Sequence, residues 1–114
     1  RWPYDPVRDF AAITMIGITP YVLVGGPAAR GGSLREFLDD ARARPGGVNY
    51  ASVGTSTLGY LLTRQLESLT GTQMTHVPHR GSAAVYPDLL NGTVAMLLDN
   101  PTGSAGLVRG GRLR

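Results

Sequence analysis

The chain has 114 residues, of which 42% are hydrophobic and 17% charged, and it contains no cysteine. These proportions exclude an intrinsically disordered chain and are sufficient for the core of one domain. The lack of cysteine excludes disulfide scaffolds, cysteine-based zinc sites and thiol catalysis. The net charge is +3, but the 11 basic residues, all arginines, are spread along the chain. This distribution predicts a solvated surface and no nucleic-acid binding.

The first twenty residues have a turn-rich start followed by extended apolar sequence. Two prolines oppose a helix in residues 1–9. Two apolar stretches of β type follow, Phe10–Ile18 and Tyr21–Val24, and residues 25–32 are predicted to be a loop. No apolar run reaches the ~20 residues that a membrane-spanning helix needs.

Helical and strand patterns alternate through the rest of the chain. Ser33 and Glu36 have the spacing of a capping box, and Gly71 stands where a left-handed helix cap is expected. Pro87 falls within a predicted helix, where it would kink the helix or delay its start. The predicted elements in chain order are a helix from Ser33 to before Pro45, a strand Val48–Val53, a helix with Leu58, Leu61, Leu62, Leu66 and Leu69 along one face, a strand Met74–Pro78, a helix Ala83–Leu90, a strand Val94–Leu98, a helix Thr102–Arg109, and the start of another strand at Leu113.

This alternation predicts an α/β fold with a mostly parallel sheet flanked by helices on both faces. The run Ala95–Leu98 is continuously apolar, as a strand buried on both faces should be.

Three polar turns follow predicted strands at the edge where open α/β sheets bind ligands. They are residues 52–57, 79–82 and 99–102, and each precedes a helix. Free amides at helix N-termini are natural sites for carboxylate or phosphate. The hydroxyls of residues 55, 56, 57 and 82 either add donors to such a site or cap the helices, and the sequence leaves both interpretations open.

Two charged residues in these turns have the same ambiguity. Arg80 is suited to pairing with an anion, or it is a surface arginine. Asp99 ends an apolar strand and would hold a cationic or hydroxyl group of a ligand, or water, or it would cap the following helix.

Other catalytic and metal patterns are weak. His76 and His79 form His-x-x-His, but one lies in a strand and the other in a turn, so we predict no metal site. Ser52 lies in Ala-Ser-Val-Gly and not in the Gly-x-Ser-x-Gly elbow of hydrolases. The chain has no lysine for a phosphate-binding P-loop and no Gly-x-Gly-x-x-Gly dinucleotide motif. We therefore expect no cofactor.

Several segments together resemble the periplasmic solute-binding receptors of tripartite tricarboxylate transporters, the Bug or TctC-like family. Tyr4–Phe10 is similar to the family's Y-D-P-V-K/R-D-F, and His76–Gly81 is similar to H-V-P-Y-K-G, with His79 in place of the usual tyrosine. The turn 54–57 also differs from the glycine- and asparagine-containing turns common in the family. The further segments of the resemblance, in the family's order, are Tyr21–Val24, Pro45–Ser52, Asp88–Val94, Asp99-Asn100 and Gly110–Arg114.

The resemblance implies one lobe of a type II periplasmic-binding, or Venus flytrap, fold. Residues 1–20 would belong to or cross from the first lobe, and residues 21–114 would form a second lobe, incomplete at its C-terminus. We expect a fragment of a periplasmic protein, with a signal peptide in the preceding sequence. The implied ligand contacts are Ser52, Gly54, Thr55, Ser56, Thr57, His79, Arg80, Gly81, Ser82, Ala83 and Asp99.

The function implied is capture of a small organic carboxylate, without catalysis, for delivery to a membrane permease. Two alternatives stay open. A small α/β hydrolase would need an activated nucleophile, for which Ser52 is the candidate, with a base beside it. An effector-binding domain of a transcription regulator would carry a helix-turn-helix in the preceding sequence.

Overall fold

The computed structural model describes residues 2–114, so Arg1, the first residue of the predicted 1–20 segment, lies outside the described residues. Strands and helices alternate along the chain after an N-terminal segment without regular structure. In chain order the elements are β1 (Val22–Gly25), α1 (Leu34–Ala43), β2 (Asn49–Ser52), α2 (Leu58–Thr70), β3 (Thr75–Pro78), α3 (Ser82–Asn91), β4 (Met96–Asp99) and α4 (Pro101–Arg109). None of the helices in residues 2–114 has the length and apolar character needed to cross a membrane.

The four strands form one sheet in the order β1-β4-β2-β3. Strand β2 pairs in parallel with both β3 and β4, and β1 pairs antiparallel with β4. The predicted mostly parallel α/β sheet is therefore confirmed.

Helices cover both faces of this sheet, as predicted. On one face Phe37 of α1 packs in a buried cluster with Tyr50 and Met96, and Tyr60 of α2 lies against it. On the other face Val85 and Leu89 of α3 form the second cluster with inward-facing strand residues. Each strand thus buries alternate side chains against different helix layers.

The N-terminal segment differs from its prediction. Residues 10–18 form no strand, and their apolar side chains lie in solvent: Ile13 is 96% exposed and Ile16 is 101% exposed. An apolar stretch of β propensity becomes a strand only where a neighbouring strand satisfies its backbone groups. The sheet of this chain places no strand beside it.

Helix α1 begins at the predicted capping box. The Ser33 hydroxyl accepts the N–H of Glu36 at 3.2 Å. The Glu36 carboxylate accepts the N–H of Gly32 at 2.5 Å. In a standard capping box this carboxylate would instead accept the N–H of the N-cap residue, Ser33.

Helix α2 turns a different face to the sheet from the one that its leucine spacing predicts. Its buried residues are Gly59, Thr63 and Glu67, whereas Leu58, Leu61 and Leu69 of the predicted apolar face are more than half exposed. A β-carbon on Gly59 would lie 2.5 Å from the carbonyl oxygen of Leu98 in β4. The small residues therefore set which face of the helix meets the sheet.

In the C-terminal half, the helix ends match the predictions, whereas the predicted strand at Leu113 does not form. Gly71 and Gly92 end α2 and α3 in the left-handed conformation, and α3 starts at Ser82 and continues through Pro87. Leu113 does not begin a strand, although Arg114 exchanges two backbone hydrogen bonds with Gly25.

The close approach at Gly59 gives a stability test. We expect Gly59→Ala to lower the free energy of unfolding by about 1–3 kcal/mol, because the added methyl group must displace α2 from β4. Gly106 in α4 is the matched control, because a β-carbon there meets no atom within 4 Å. Gly106→Ala should raise the free energy of unfolding by about 0.5–1 kcal/mol through helix propensity alone. Urea unfolding of both variants measures the difference, and equal effects would contradict the packing argument.

Candidate functional site

The carboxyl ends of β4, β2 and β3 lie side by side and form one rim of the sheet. The register pairs Ala51 of β2 with Leu97 of β4, and Ser52 of β2 with Pro78 of β3. The two neighbouring turns are also joined directly, since the N–H of His79 donates to the carbonyl of Ser52 at 2.8 Å. The three polar turns predicted from the sequence therefore share this rim.

The β2–α2 loop, residues 53–57, presents two exposed hydroxyls at the rim, those of Thr55 and Ser56. Gly54 has a φ of +130°, a conformation that side chains disfavour. The hydroxyl of Thr57 donates to the Gly54 carbonyl at 2.6 Å and makes no cap bond to α2, although Thr57 is the N-cap residue. The capping interpretation of this hydroxyl is therefore wrong, and the first amides of α2 have no side-chain cap.

The β3–α3 turn leaves a second helix N-terminus without a side-chain cap. Gly81 is the N-cap of α3, with a φ of +98°, and it carries no side chain that could accept an amide hydrogen. Ser82 is the first helical residue and not the cap, and Ala83 follows it in the exposed first turn. Arg80 is exposed and forms no ion pair with an acidic side chain of residues 2–114.

His79 faces inward from this turn. Its Nε2 lies 2.8 Å from an Asp88 carboxylate oxygen in α3, and its Nδ1 lies 3.0 Å from the carbonyl oxygen of Val77. Both partners are acceptors, so both bonds exist together only when both ring nitrogens carry a proton. The side chain ties the turn to α3 and is 9% exposed.

Asp99 lies at the end of β4, on the sheet face covered by α3 and α4. It does not cap α4, because the N-cap is Asn100, whose side chain accepts the N–H of Thr102 at 3.1 Å. One Asp99 carboxylate oxygen accepts the N–H of Asn100 at 2.8 Å. The Tyr86 hydroxyl is buried and has no hydrogen-bond partner in the described part of the chain. Burial, and then the charge of Asp99, raise the pKa of Tyr86.

Sequence reasoning missed a short side-chain contact that Ser52 makes beneath the rim. The Oγ of Ser52 lies 2.6 Å from the Nε2 of His76, and Ser52 is 2% exposed. The His76 ring lies near the rings of Tyr50 and Tyr60, at centroid distances of 5.1 Å and 4.8 Å. Strand alternation reveals this pair only once the register is known, because the pairing of Tyr50 with His76 is what places Ser52 and His76 on the same face.

A serine beside a histidine is also the start of a catalytic arrangement. Here the Ser52 oxygen is buried and already accepts the N–H of Gly54 at 3.2 Å. Within residues 2–114, no side chain accepts a hydrogen bond from the Nδ1 of His76, which is where a catalytic triad places its carboxylate. The pair therefore differs from a catalytic triad in two respects, the burial of the serine and the carboxylate that is missing within residues 2–114.

An apolar cavity lies away from the rim. It has a volume of about 290 Å³ and is lined mainly by the end of β1, the following loop and the start of α1, including Leu23, Ala29 and Phe37. Because β1 runs antiparallel to β4, its end lies at the opposite edge of the sheet. None of its lining residues belongs to α2, α3 or α4, the helices that begin at the rim.

Comparison with known proteins identifies the family. The family described as Tripartite tricarboxylate transporter family receptor, TctC, matches residues 1–114. The chain belongs to this receptor family. Protein BugT of Bordetella pertussis is 33% identical over 112 residues, which are 98% of this chain and 34% of that protein.

Solved structures of similar proteins share the fold. A structure of a periplasmic transporter matches with a TM-score of 0.86 and 31% identity, covering 98% of this chain and 37% of that one. An R. palustris protein with adipate matches with a TM-score of 0.80 and 30% identity, covering 84% of this chain and 32% of that one. The chain thus spans about a third of the length of the relatives and structures that it matches.

The buried histidine gives a pH test. Burial, and then the nearby His79, lower the pKa of His76 from its ordinary value of 6.5. Between 6.5 and the lower folded value, the unfolded chain binds more protons than the folded chain, so the free energy of unfolding increases with pH. We expect the free energy of unfolding to fall as the pH is lowered through this window. The fall should be smaller in the His76→Gln variant. Urea unfolding from pH 7.5 to pH 4.5 measures both curves, and parallel curves would contradict the assignment to His76.

Proposed function

We propose that residues 21–114 form the second lobe of a two-lobed periplasmic receptor, which captures a small organic carboxylate and delivers it to the permease of a tripartite tricarboxylate-type transporter. The observation that carries the proposal is that two of the three helices beginning at the rim have no side-chain cap. Helices α2 and α3 begin there without a side-chain cap, whereas Ser33 caps α1 at the opposite edge. Helix α4 begins at the rim and is capped by Asn100.

An uncapped N-terminus offers N–H groups and the positive end of the helix dipole to an anion. Helix α2 has 13 residues and α3 has 10, enough for each to contribute this field. The exposed hydroxyls of Thr55 and Ser56 lie before one helix, and the guanidinium of Arg80 lies before the other. These groups suit a carboxylate, which accepts hydrogen bonds from N–H, O–H and guanidinium donors.

Asp99 sets a limit on how the ligand sits. Its carboxylate would repel a ligand carboxylate placed against it. The acidic groups of the ligand would therefore lie toward α2 and α3, with a hydroxyl, an ammonium group or bridging water next to Asp99. The R. palustris relative with adipate supports a dicarboxylate as the first ligand to test.

The proposed function is binding without chemical conversion. Two lobes closing about a hinge would sequester the solute, and the closed form would be the one that the permease recognises. The buried state of Ser52 supports a receptor over the hydrolase alternative. Membership of the receptor family supports a periplasmic location and a transporter partner.

We assign residues 1–20 to the first lobe or to a segment that crosses from it. Trp2, Val7, Phe10 and Ile16 each have more than 60% of their surface in solvent. A run of exposed apolar residues of this kind marks a surface that another part of a protein covers. A strand of the first lobe next to residues 10–18 would satisfy both the side chains and the backbone.

Ligand binding tests the proposed rim. We expect the full-length receptor containing this chain to bind a dicarboxylate such as adipate in isothermal titration, with no product formed on incubation. Combining Thr55→Ala, Ser56→Ala and Arg80→Ala removes two hydroxyl donors and one cation. We expect this variant to bind at least about tenfold more weakly, since hydrogen bonds to charged groups contribute about 1.5–3 kcal/mol each.

Arg35→Ala is the matched control for the loss of charge. Arg35 is exposed in the first turn of α1, at the other edge of the sheet. We expect this variant to bind as tightly as the unmodified receptor. Unchanged affinity in the triple variant would exclude the proposed rim, and turnover of the ligand would exclude a pure receptor.

The exposed N-terminal segment gives a separate test of the lobe assignment. In the 114-residue chain, Ile16→Asp should change the free energy of unfolding by less than about 0.5 kcal/mol, because the side chain is in solvent. In the full-length receptor the same substitution should lower the thermal unfolding temperature, because the first lobe would bury that side chain. Equal tolerance of the substitution in both proteins would contradict the assignment.

A further inference from the structure

A chain of hydrogen bonds beneath the rim connects β3 to the residue that precedes α2. The Nε2 of His76 lies 2.6 Å from the Oγ of Ser52, and the same oxygen accepts the N–H of Gly54 at 3.2 Å. The Gly54 carbonyl then accepts the hydroxyl of Thr57 at 2.6 Å. Three contacts in series therefore run from a strand histidine into the β2–α2 loop.

The histidine ring is held in one orientation. Tyr50 stacks on it at 5.1 Å with an interplanar angle of 29°, and Tyr60 of α2 lies at 4.8 Å with an angle of 54°. Tyr50 is 1% exposed, so the ring rests on a fixed surface of the core. Contacts with two aromatic rings restrict rotation of the imidazole, and its Nε2 lies at Ser52.

The hydrogen positions follow from the geometry. Ser52 has one hydroxyl hydrogen, and its possible acceptors are the Nε2 of His76 at 2.6 Å and the Gly54 carbonyl at 3.4 Å. The short contact is satisfied when His76 is neutral, with its proton on Nδ1. The Ser52 oxygen then remains free to accept the Gly54 N–H.

The ionisable groups near His76 come from three elements. They are Tyr50 from β2, Tyr60 from α2 and His79 from the turn after β3, with the Arg64–Glu67 ion pair of α2 next to Tyr50. No carboxylate of residues 2–114 pairs with His76 to stabilise a positive charge. Burial and His79 accordingly lower the pKa of His76.

We propose that His76 is a positioning residue for the ligand loop: acting through Ser52, it fixes the Gly54 amide and hence the places of the Thr55 and Ser56 hydroxyls at the rim. The inference rests on the proposed function, because it assigns a purpose to that loop. Thr55 and Ser56 make no side-chain hydrogen bonds within the described residues, so only the backbone of the loop determines where their hydroxyls lie. When His76 is protonated, its Nε2–H donates to the Ser52 oxygen and the Ser52 hydrogen turns toward the Gly54 carbonyl; when His76 is replaced by an apolar side chain, the Ser52 hydroxyl loses its partner at 2.6 Å. Either change alters the hydrogen bonds between Ser52 and Gly54.

Nuclear magnetic resonance tests the connection without any ligand. In a pH titration of the isotope-labelled chain, we expect the Gly54 amide signal to move with the same midpoint as the ring signals of His76. His76→Gln should abolish this movement, because glutamine does not titrate. His79→Gln is the matched control, and it should preserve the movement while removing the other histidine. A Gly54 signal that does not follow His76 would overturn the proposal.

Adipate binding to the full-length receptor tests the consequence. His76→Phe keeps an aromatic ring near the tyrosines but has no acceptor, and we expect about tenfold weaker binding, the size of roughly one lost hydrogen bond. His76→Gln should stay within about threefold of the unmodified receptor, because its amide oxygen can accept the Ser52 hydrogen. Ser52→Ala should weaken binding as much as His76→Phe does. The variant with both substitutions should bind no more weakly than either single variant, because both substitutions break the same chain of contacts.

The outcomes separate the two proposals. Unchanged adipate affinity in both His76→Phe and Ser52→Ala would overturn the positioning role and leave the receptor function standing. Absence of carboxylate binding by the unmodified receptor would overturn the proposed function, whereas the titration of Gly54 would still decide whether His76 controls the loop. Circular dichroism of each variant establishes that it is folded. If His76→Phe does not fold, the comparison of adipate affinity between His76→Gln and Ser52→Ala tests the positioning role.

Discussion

The parallel pairing of β2 with β3 and β4 is the constraint on which the rim depends. Each strand has only four residues, so a few backbone hydrogen bonds determine the register. Because successive side chains point to opposite faces, a slip of one residue would move Tyr50 and Ser52 to the face of α3 and α4. It would also separate Ser52 from His76. The same register therefore places the polar turns at one edge and assembles the buried contacts beneath them.

The two faces of the sheet have different electrostatic characters near the rim. On the face of α1 and α2, the contacts under the loop involve Ser52, His76 and two tyrosines, all of which are uncharged in the arrangement that the geometry favours. On the face of α3 and α4, Asp99 brings a negative charge next to the buried Tyr86 hydroxyl. In the proposed function, the N-termini of α2 and α3 would attract the carboxylate groups of a ligand, and Asp99 would repel them from its own position at the end of β4.

The sequence predicted the features that depend on neighbours along the chain. The Ser33 cap, the left-handed Gly71 and the alternation of strands with helices each follow from local backbone chemistry and periodicity. Features that depend on distant contacts were not predictable in this way. The face of α2 that meets the sheet is set by the closeness of Gly59 to Leu98, which leucine spacing does not reveal. Residues 10–18 have β propensity but no neighbouring strand in this chain. The Ser52–His76 contact required the strand register.

The Ser52–His76 pair illustrates why residue types alone do not determine function. The same two side chains at 2.6 Å would activate a nucleophile if the serine were exposed and the histidine had a carboxylate partner. Here the serine oxygen is buried, and one of its lone pairs is used by the Gly54 amide. Burial strengthens such hydrogen bonds and makes a lost partner costly, which suits a support that must hold a loop in one conformation. In the arrangement that we propose, a pair that would serve catalysis at the surface serves preorganisation below it, and the loop above supplies the donors for the ligand.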